Sequence, residues 1–106
     1  MIGIDIVEVA RIERARETYG DRFLNRVFTA REIEYAGRKR RWAESLAGRF
    51  AAKEAFMKAC GRRLPWKGIE VLSGDRGRPF IRFGDRQYDG VSISHERQFA
   101  VSVVEI

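Results

Sequence analysis

The chain has 106 residues, 44% hydrophobic and 34% charged, which fits a single globular domain over 1–106 and excludes a disordered chain. Its net charge of +6 is uneven: residues 1–63 hold 15 basic against 9 acidic side chains, while 64–106 hold 6 of each. One cysteine, Cys60, excludes an internal disulfide and the multi-cysteine zinc frameworks.

No apolar run approaches the roughly 18 residues of a membrane span, and the N-terminus lacks a secretion-signal pattern. The reading is a cytoplasmic protein without membrane contact. Of the 21 basic residues 17 are arginine, the side chain suited to bidentate phosphate and carboxylate contacts. The basic half therefore predicts an anionic partner: nucleic acid, a phosphorylated cofactor or an acidic protein.

Ile2-Gly3-Ile4-Asp5-Ile6-Val7 predicts a strand, with Ile2, Ile4 and Ile6 on one face and Gly3, Asp5 and Val7 on the other. A helix over about 8–19 follows, with Val9, Ile12, Ala15 and Tyr19 on one side. Arg11, Arg14 and Thr18 lie opposite, and Gly20-Asp21 stops it. Thr29-Ala30-Arg31-Glu32 has capping-box spacing and predicts a helix over about 30–37. A long helix over about 41–60 ends at Cys60-Gly61, with Gly48 its only internal weak point. Strands are predicted at 69–72, 80–83, 91–94 and 99–104, with turns at 74–79, at Gly84-Asp85 and around Glu96-Arg97. The class is α+β, with one strand at the start, helices next and a meander last.

Three places stand out chemically. Asp5 sits inside an apolar strand, where a carboxylate is unfavourable unless paired, hydrogen-bonded or bound to a metal. A solvated face on an edge strand would also accommodate it. On the long helix, an apolar stripe of Trp42, Ala43, Leu46, Phe50, Met57 and Cys60 contains Lys53, with Glu54 at its margin. A lysine on a core face must snorkel, pair or meet a ligand. Glu54 and Lys58 have the spacing of a plain surface pair. The third place is Val91-Ser92-Ile93-Ser94-His95, with the only histidine. Ser94 and His95 point to opposite faces of a strand, which argues against a Ser–His nucleophile. His95 is either an exposed polar residue or a donor to a phosphate. No glycine-rich phosphate loop is present, so side chains must do any phosphate binding. Asp5 and Glu54 could hold a magnesium ion, which commonly takes one or two carboxylates together with waters and substrate phosphates.

Gly3-Ile4-Asp5-Ile6-Val7, Phe50-Ala51-Ala52-Lys53-Glu54-Ala55-Phe56-Met57-Lys58 and Val91-Ser92-Ile93-Ser94-His95, in that order, resemble the short bacterial holo-[acyl-carrier-protein] synthases of the 4′-phosphopantetheinyl transferase family. Phe28-Thr29, Leu46-Ala47-Gly48-Arg49, Ile69-Glu70-Val71 and Gly77-Arg78-Pro79 agree, so the resemblance runs nearly end to end. It implies the family fold, with the N-terminal strand and helices packed on a small antiparallel sheet. The implied activity is magnesium-dependent transfer of phosphopantetheine from coenzyme A to a serine of apo acyl carrier protein, in fatty acid biosynthesis.

By resemblance, Asp5 and Glu54 become metal ligands, Lys58 contacts the coenzyme A diphosphate, and Lys53 sits beside it among the catalytic residues in a supporting or charge-balancing role. Arg49 and His95 match positions that grip the 3′-phosphate end, with Arg41 joining them. Arg11, Arg22 and Phe23 fall where the carrier protein docks. The resemblance further implies a homotrimer, with Asp5, Arg49 and Glu54 from one protomer and His95 from its neighbour. The loop around 61–68 is lean for the family, and no cofactor contact is transferred to it. The serine proton needs an acceptor, and Glu54 and a metal-bound water remain alternatives.

The chief rival is a nucleic-acid-binding module, suggested by Arg38-Lys39-Arg40-Arg41-Trp42 and the high pI. Its aromatic residues fall on core-like positions rather than on a stacking platform, and it leaves Asp5 and Lys53 unexplained. The reading is therefore of no nucleic-acid partner. A carrier-protein partner without catalysis is a second rival.

Overall fold

The structure is a computed structural model describing residues 1–106. A first strand, β1 (Ile2–Glu8), leads into four helices: α1 (Val9–Tyr19), α2 (Asp21–Val27), α3 (Ala30–Gly37) and α4 (Trp42–Cys60). Five strands follow: β2 (Ile69–Ser73), β3 (Pro79–Phe83), β4 (Arg86–Tyr88), β5 (Val91–His95) and β6 (Phe99–Glu105). The α+β class is as expected. Helix α2 and strand β4 are additions, and both are too short to show a hydrophobic period: seven and three residues. The single sheet expected becomes two, β1-β6-β5 and β2-β3-β4, each antiparallel. Alternation marks a strand but does not say which strand it joins. Here the first strand pairs with the last, from Ile2 opposite Glu105 to Glu8 opposite Phe99.

Helix α4 is the axis of the fold. Its apolar stripe, as read from the sequence, is too narrow: 15 of its 19 residues are buried. Small side chains explain how neighbours reach it from several sides, since Ala47, Ala51, Ala52, Ala55 and Ala59 are all buried. One core gathers Val7, Ile12, Phe28, Leu46 and Phe50. The other gathers Phe56, Met57, Ile69, Ile81 and Val104. Gly61 ends the helix in the left-handed region, at φ 75°, with its N–H donating to the Met57 carbonyl at 2.9 Å.

Two glycines set how closely strands approach α4. A Cβ on Gly3 would lie 1.9 Å from the Ala55 carbonyl oxygen and 2.7 Å from the Ala59 nitrogen. Strand β1 therefore lies against α4 backbone to backbone. A Cβ on Gly48 would lie 2.9 Å from Cγ2 of Ile93 on β5. The helix weak point read from the sequence is thus a site of close approach. The alternation of β1 holds, with Gly3 and Val7 buried, but the isoleucine face points outward. Ile2, Ile4 and Ile6 are 65%, 57% and 63% exposed, and Phe99 and Val103 of β6 are exposed with them.

Candidate active site

Because β1 meets α4 at Gly3, Asp5 is placed beside the C-terminal half of the helix. Lys58 Nζ donates to Asp5 Oδ1 at 3.2 Å and to the Ile4 carbonyl at 2.9 Å. The expected surface pair of Glu54 with Lys58 is replaced by two others. Lys58 turns to Asp5, and Glu54 accepts from Arg63, with Nη1 3.2 Å from Oε2. Both carboxylates are largely covered while their cationic partners are exposed. Burial pushes the Asp5 carboxyl above its ordinary value. The Lys58 hydrogen bond and charge oppose that rise, the nearby Glu54 charge adds to it, and Arg11 counters it. Strand β1 is indeed an edge strand, but Asp5 is mostly covered on its inner face rather than simply solvated.

The donor set suits magnesium rather than a fully protein-ligated metal. Two carboxylates lie within each other's field, on rigid elements, and no group of three or more His, Cys, Asp or Glu side chains gathers anywhere in the chain. Such a pair leaves most of an octahedron to water and ligand oxygens, as magnesium at phosphate sites requires.

Lys53 requires a correction. The resemblance gave it a supporting catalytic role; the structure places it in the core, fully buried. Its three ammonium protons meet Glu32 Oε1 at 2.7 Å, the Val27 carbonyl at 2.7 Å and the Trp66 carbonyl at 3.0 Å. Nothing is left for a ligand. Burial lowers its pKa from the ordinary lysine value, with Glu32 opposing. Glu32, read from the sequence only as a helix cap, also accepts from the Thr29 and Val71 backbone N–H groups, each at 2.8 Å. One buried carboxylate therefore ties α3, α4 and β2 together.

Arg49 lies midway along α4 and is 7% exposed. Its guanidinium stacks 4.1 Å from the Tyr35 ring centre and donates weakly to Ser45 Oγ at 3.3 Å and Ser73 Oγ at 3.4 Å. Its buried Nε has no partner. A cleft of about 390 Å³ opens here, with Arg31, Arg38, Arg49 and Arg82 in its wall. The Ser73 hydroxyl, then Lys39 and Arg49, pull the Tyr35 phenol below its ordinary value. This is a built, positively charged recess with an unsatisfied donor, which suits a phosphate.

His95 and Arg49 line one adjoining cleft within the same chain. His95 Nδ1 lies 3.0 Å from Glu44 Oε1, and Arg41 Nη1 lies 3.3 Å from Glu44 Oε2. The residues matched to carrier docking divide. Arg22 and Phe23 share an open groove with Tyr19 and Arg26. Arg11 stands apart from it, 5.4 Å over the Phe50 ring.

Sequence reading missed Tyr35, Glu44 and Ser73. Tyr35 and Glu44 follow helical spacing like any surface residue, and Ser73 ends a strand, so none carried a local signal. Only the packing of α3, β2 and β5 on α4 brings them to the clefts.

Residues 1–104 match the family model of the 4′-phosphopantetheinyl transferase superfamily. A holo-[acyl-carrier-protein] synthase of Halothermothrix orenii is 47% identical over an alignment of 116 positions, covering 97% of this chain and 93% of the relative. That of Chloroherpeton thalassium is 43% identical, covering 99% and 95%. Among solved structures, a holo-(acyl-carrier-protein) synthase from Bacillus anthracis in complex with CoA (3′,5′-ADP) superposes with a TM-score of 0.83 at 40% identity, covering 97% of this chain and 91% of that one. The Helicobacter pylori holo-[acyl-carrier-protein] synthase in complex with coenzyme A gives 0.88 at 32% identity, covering 99% and 98%. The chain belongs to the 4′-phosphopantetheinyl transferase superfamily.

Proposed function

We propose that this chain is a holo-[acyl-carrier-protein] synthase: it transfers 4′-phosphopantetheine from coenzyme A to a serine of apo acyl carrier protein and releases adenosine 3′,5′-bisphosphate. The observation that carries this reading is the placement of Asp5, Glu54 and Lys58 at one end of α4 in a chain of this family. Coenzyme A is the co-substrate, the carrier protein the acceptor, and fatty acid biosynthesis the setting. No helix is long and apolar enough to cross a membrane, and the cytoplasm is the proposed location.

In the reaction the serine oxygen bonds to the β-phosphorus of coenzyme A as the bond from that phosphorus to the bridging oxygen breaks. The serine proton goes to an acceptor, either Glu54 or water. Little covalent chemistry falls to the protein, so its tasks are positioning and charge neutralisation. Asp5 and Glu54 would hold magnesium, which when bound polarises the diphosphate and offsets charge on the leaving oxygen. Lys58, exposed and only loosely held by Asp5, turns toward the diphosphate. Arg49, with its unpartnered Nε, and His95 take the 3′-phosphate, with Arg41 beside them. Arg22 and Phe23, in their groove, and Arg11 receive the carrier protein.

The working unit is a homotrimer with sites between protomers. His95 meets the first turn of α4 at Glu44, whereas Glu54 lies ten residues further, about 15 Å along the axis. The 3′-phosphate and the diphosphate of coenzyme A hang from one ribose, so the His95 and Glu54 of one protomer serve different ligand molecules. The exposed apolar face of Ile2, Ile4, Ile6 and Val103 is the surface that assembly would cover. A sedimentation mass matching the monomer under assay conditions would remove this part of the reading.

The test of the activity is intact-mass spectrometry of apo acyl carrier protein incubated with the chain, coenzyme A and magnesium. A gain of one phosphopantetheine that disappears with chelator, and with Glu54→Gln, is the expected result. No gain with a folded enzyme and several carrier proteins would refute it.

A further inference from the structure

We propose that Glu44 is a positioning residue of the phosphate-gripping end: its carboxylate holds the His95 ring on one oxygen and the Arg41 guanidinium on the other, presenting both to one ligand phosphate. This rests on the reading of His95 as a contact of the coenzyme A 3′-phosphate.

Four observations converge on Glu44. Its side chain is only 9% exposed, in the first turn of α4, where the helix N-terminus favours a negative charge. Its two oxygens are divided, Oε1 to His95 Nδ1 at 3.0 Å and Oε2 to Arg41 Nη1 at 3.3 Å. One turn along, Gly48 lets β5, the strand that carries His95, lie close to the helix; a Cβ there would stand 2.9 Å from Cγ2 of Ile93. The Glu44 carboxyl is held below its ordinary value, by the His95 hydrogen bond first and by Arg41 as well.

The consequence lies on the ring's other side. A phosphate oxygen only accepts, so it needs a proton on Nε2. With Nδ1–H given to Glu44, a ring that also donates from Nε2 carries both protons, and Glu44 supplies the counter-charge. Glu44 thus fixes the orientation of the ring and offers a counter-charge to it, as carboxylates behind ligand-binding histidines do. The other charged groups near the pair are Glu13, Arg40 and Arg97 on one side and Arg49 on the other, with Tyr35 beside it. The basic residues among them attract a phosphate, but none accepts from Nδ1.

The experiment compares wild type, Glu44→Gln and His95→Ala with coenzyme A and with dephospho-coenzyme A, which lacks the 3′-phosphate. Glu44→Gln is expected to raise KM for coenzyme A about tenfold, to change kcat little, and to leave KM for dephospho-coenzyme A unmoved. Because His95 is the only histidine, its ring ¹⁵N resonances report on this pair alone, and they should shift in Glu44→Gln. Unchanged resonances, or equal KM changes for both substrates in Glu44→Gln, would overturn the proposal. If His95→Ala impairs both substrates equally, the 3′-phosphate reading itself fails. If His95→Ala discriminates between them and Glu44→Gln does not, only the role of Glu44 is lost.

Discussion

Lys53 and Lys58 stand five residues apart on one helix and do different work. Lys53 is fully buried and gives every proton to a fixed oxygen, one of them on a carboxylate that also holds two backbone N–H groups. Lys58 is more than half exposed, and its carboxylate partner is one that burial makes reluctant to stay charged. A charge whose partners are all satisfied inside the protein organises the fold. A charge left loosely paired beside a carboxylate that burial disfavours is available to a ligand.

The largest expected effect breaks that comparison at the buried end. Lys53→Met strips Glu32 of its ion-pair partner in the core and should cost about 3–5 kcal/mol, read by urea unfolding. Activity per folded molecule should survive. Lys58→Met should do the reverse, changing stability by less than about 1 kcal/mol while transfer is lost. If a folded Lys53→Met protein is inactive, Lys53 has a catalytic part that its hydrogen bonds do not suggest.

A second effect sharpens the comparison by moving the functional end as a whole. Gly3 is the point where β1 touches the α4 backbone, and a methyl group there meets the Ala55 carbonyl and the Ala59 nitrogen. Neither can swing aside as a side chain would. Gly3→Ala should therefore displace β1, costing about 3 kcal/mol, and carry Asp5 away from Glu54 and Lys58. Thermal unfolding and the transfer assay should fall together. A stable, active variant would mean that β1 can slide without disturbing the site.

These cases show where sequence was legible. Asp5 was conspicuous because a carboxylate interrupts an apolar alternation, and Lys53 because a lysine occupies a helical core position. Such conflicts between local pattern and residue type are visible in one dimension. Strand and helix positions were legible for the same reason, with α3 falling at 30–37 as its capping box predicts. What the pattern lacks is pairing. It cannot say that β1 joins β6, that Lys58 prefers Asp5 to Glu54, or that Glu44 meets His95 51 residues away. The two lysines looked alike as functional candidates because burial on every side of α4 is a property of its neighbours, not of its own sequence.

The smallest effect concerns the cost of the functional end. The Asp5 carboxyl is raised above its ordinary value of 3.8, mainly by burial, so the native state binds its proton more tightly than the unfolded chain does. Stability from this group is then greatest below that ordinary value and declines as pH rises through the raised native one. At neutral pH the ionised Asp5 is a net burden on the fold, lightened but not removed by Lys58. Asp5→Asn keeps an acceptor for Lys58 and removes the burden. In chelator its melting temperature at pH 7 should exceed that of wild type by an amount worth less than about 1 kcal/mol, given the exposure of Lys58. The gap should close as pH falls below the ordinary aspartate value, while transfer is abolished throughout. A lower melting temperature at pH 7 would show that the pair with Lys58 outweighs burial, and that Asp5, like Lys53, serves the fold first.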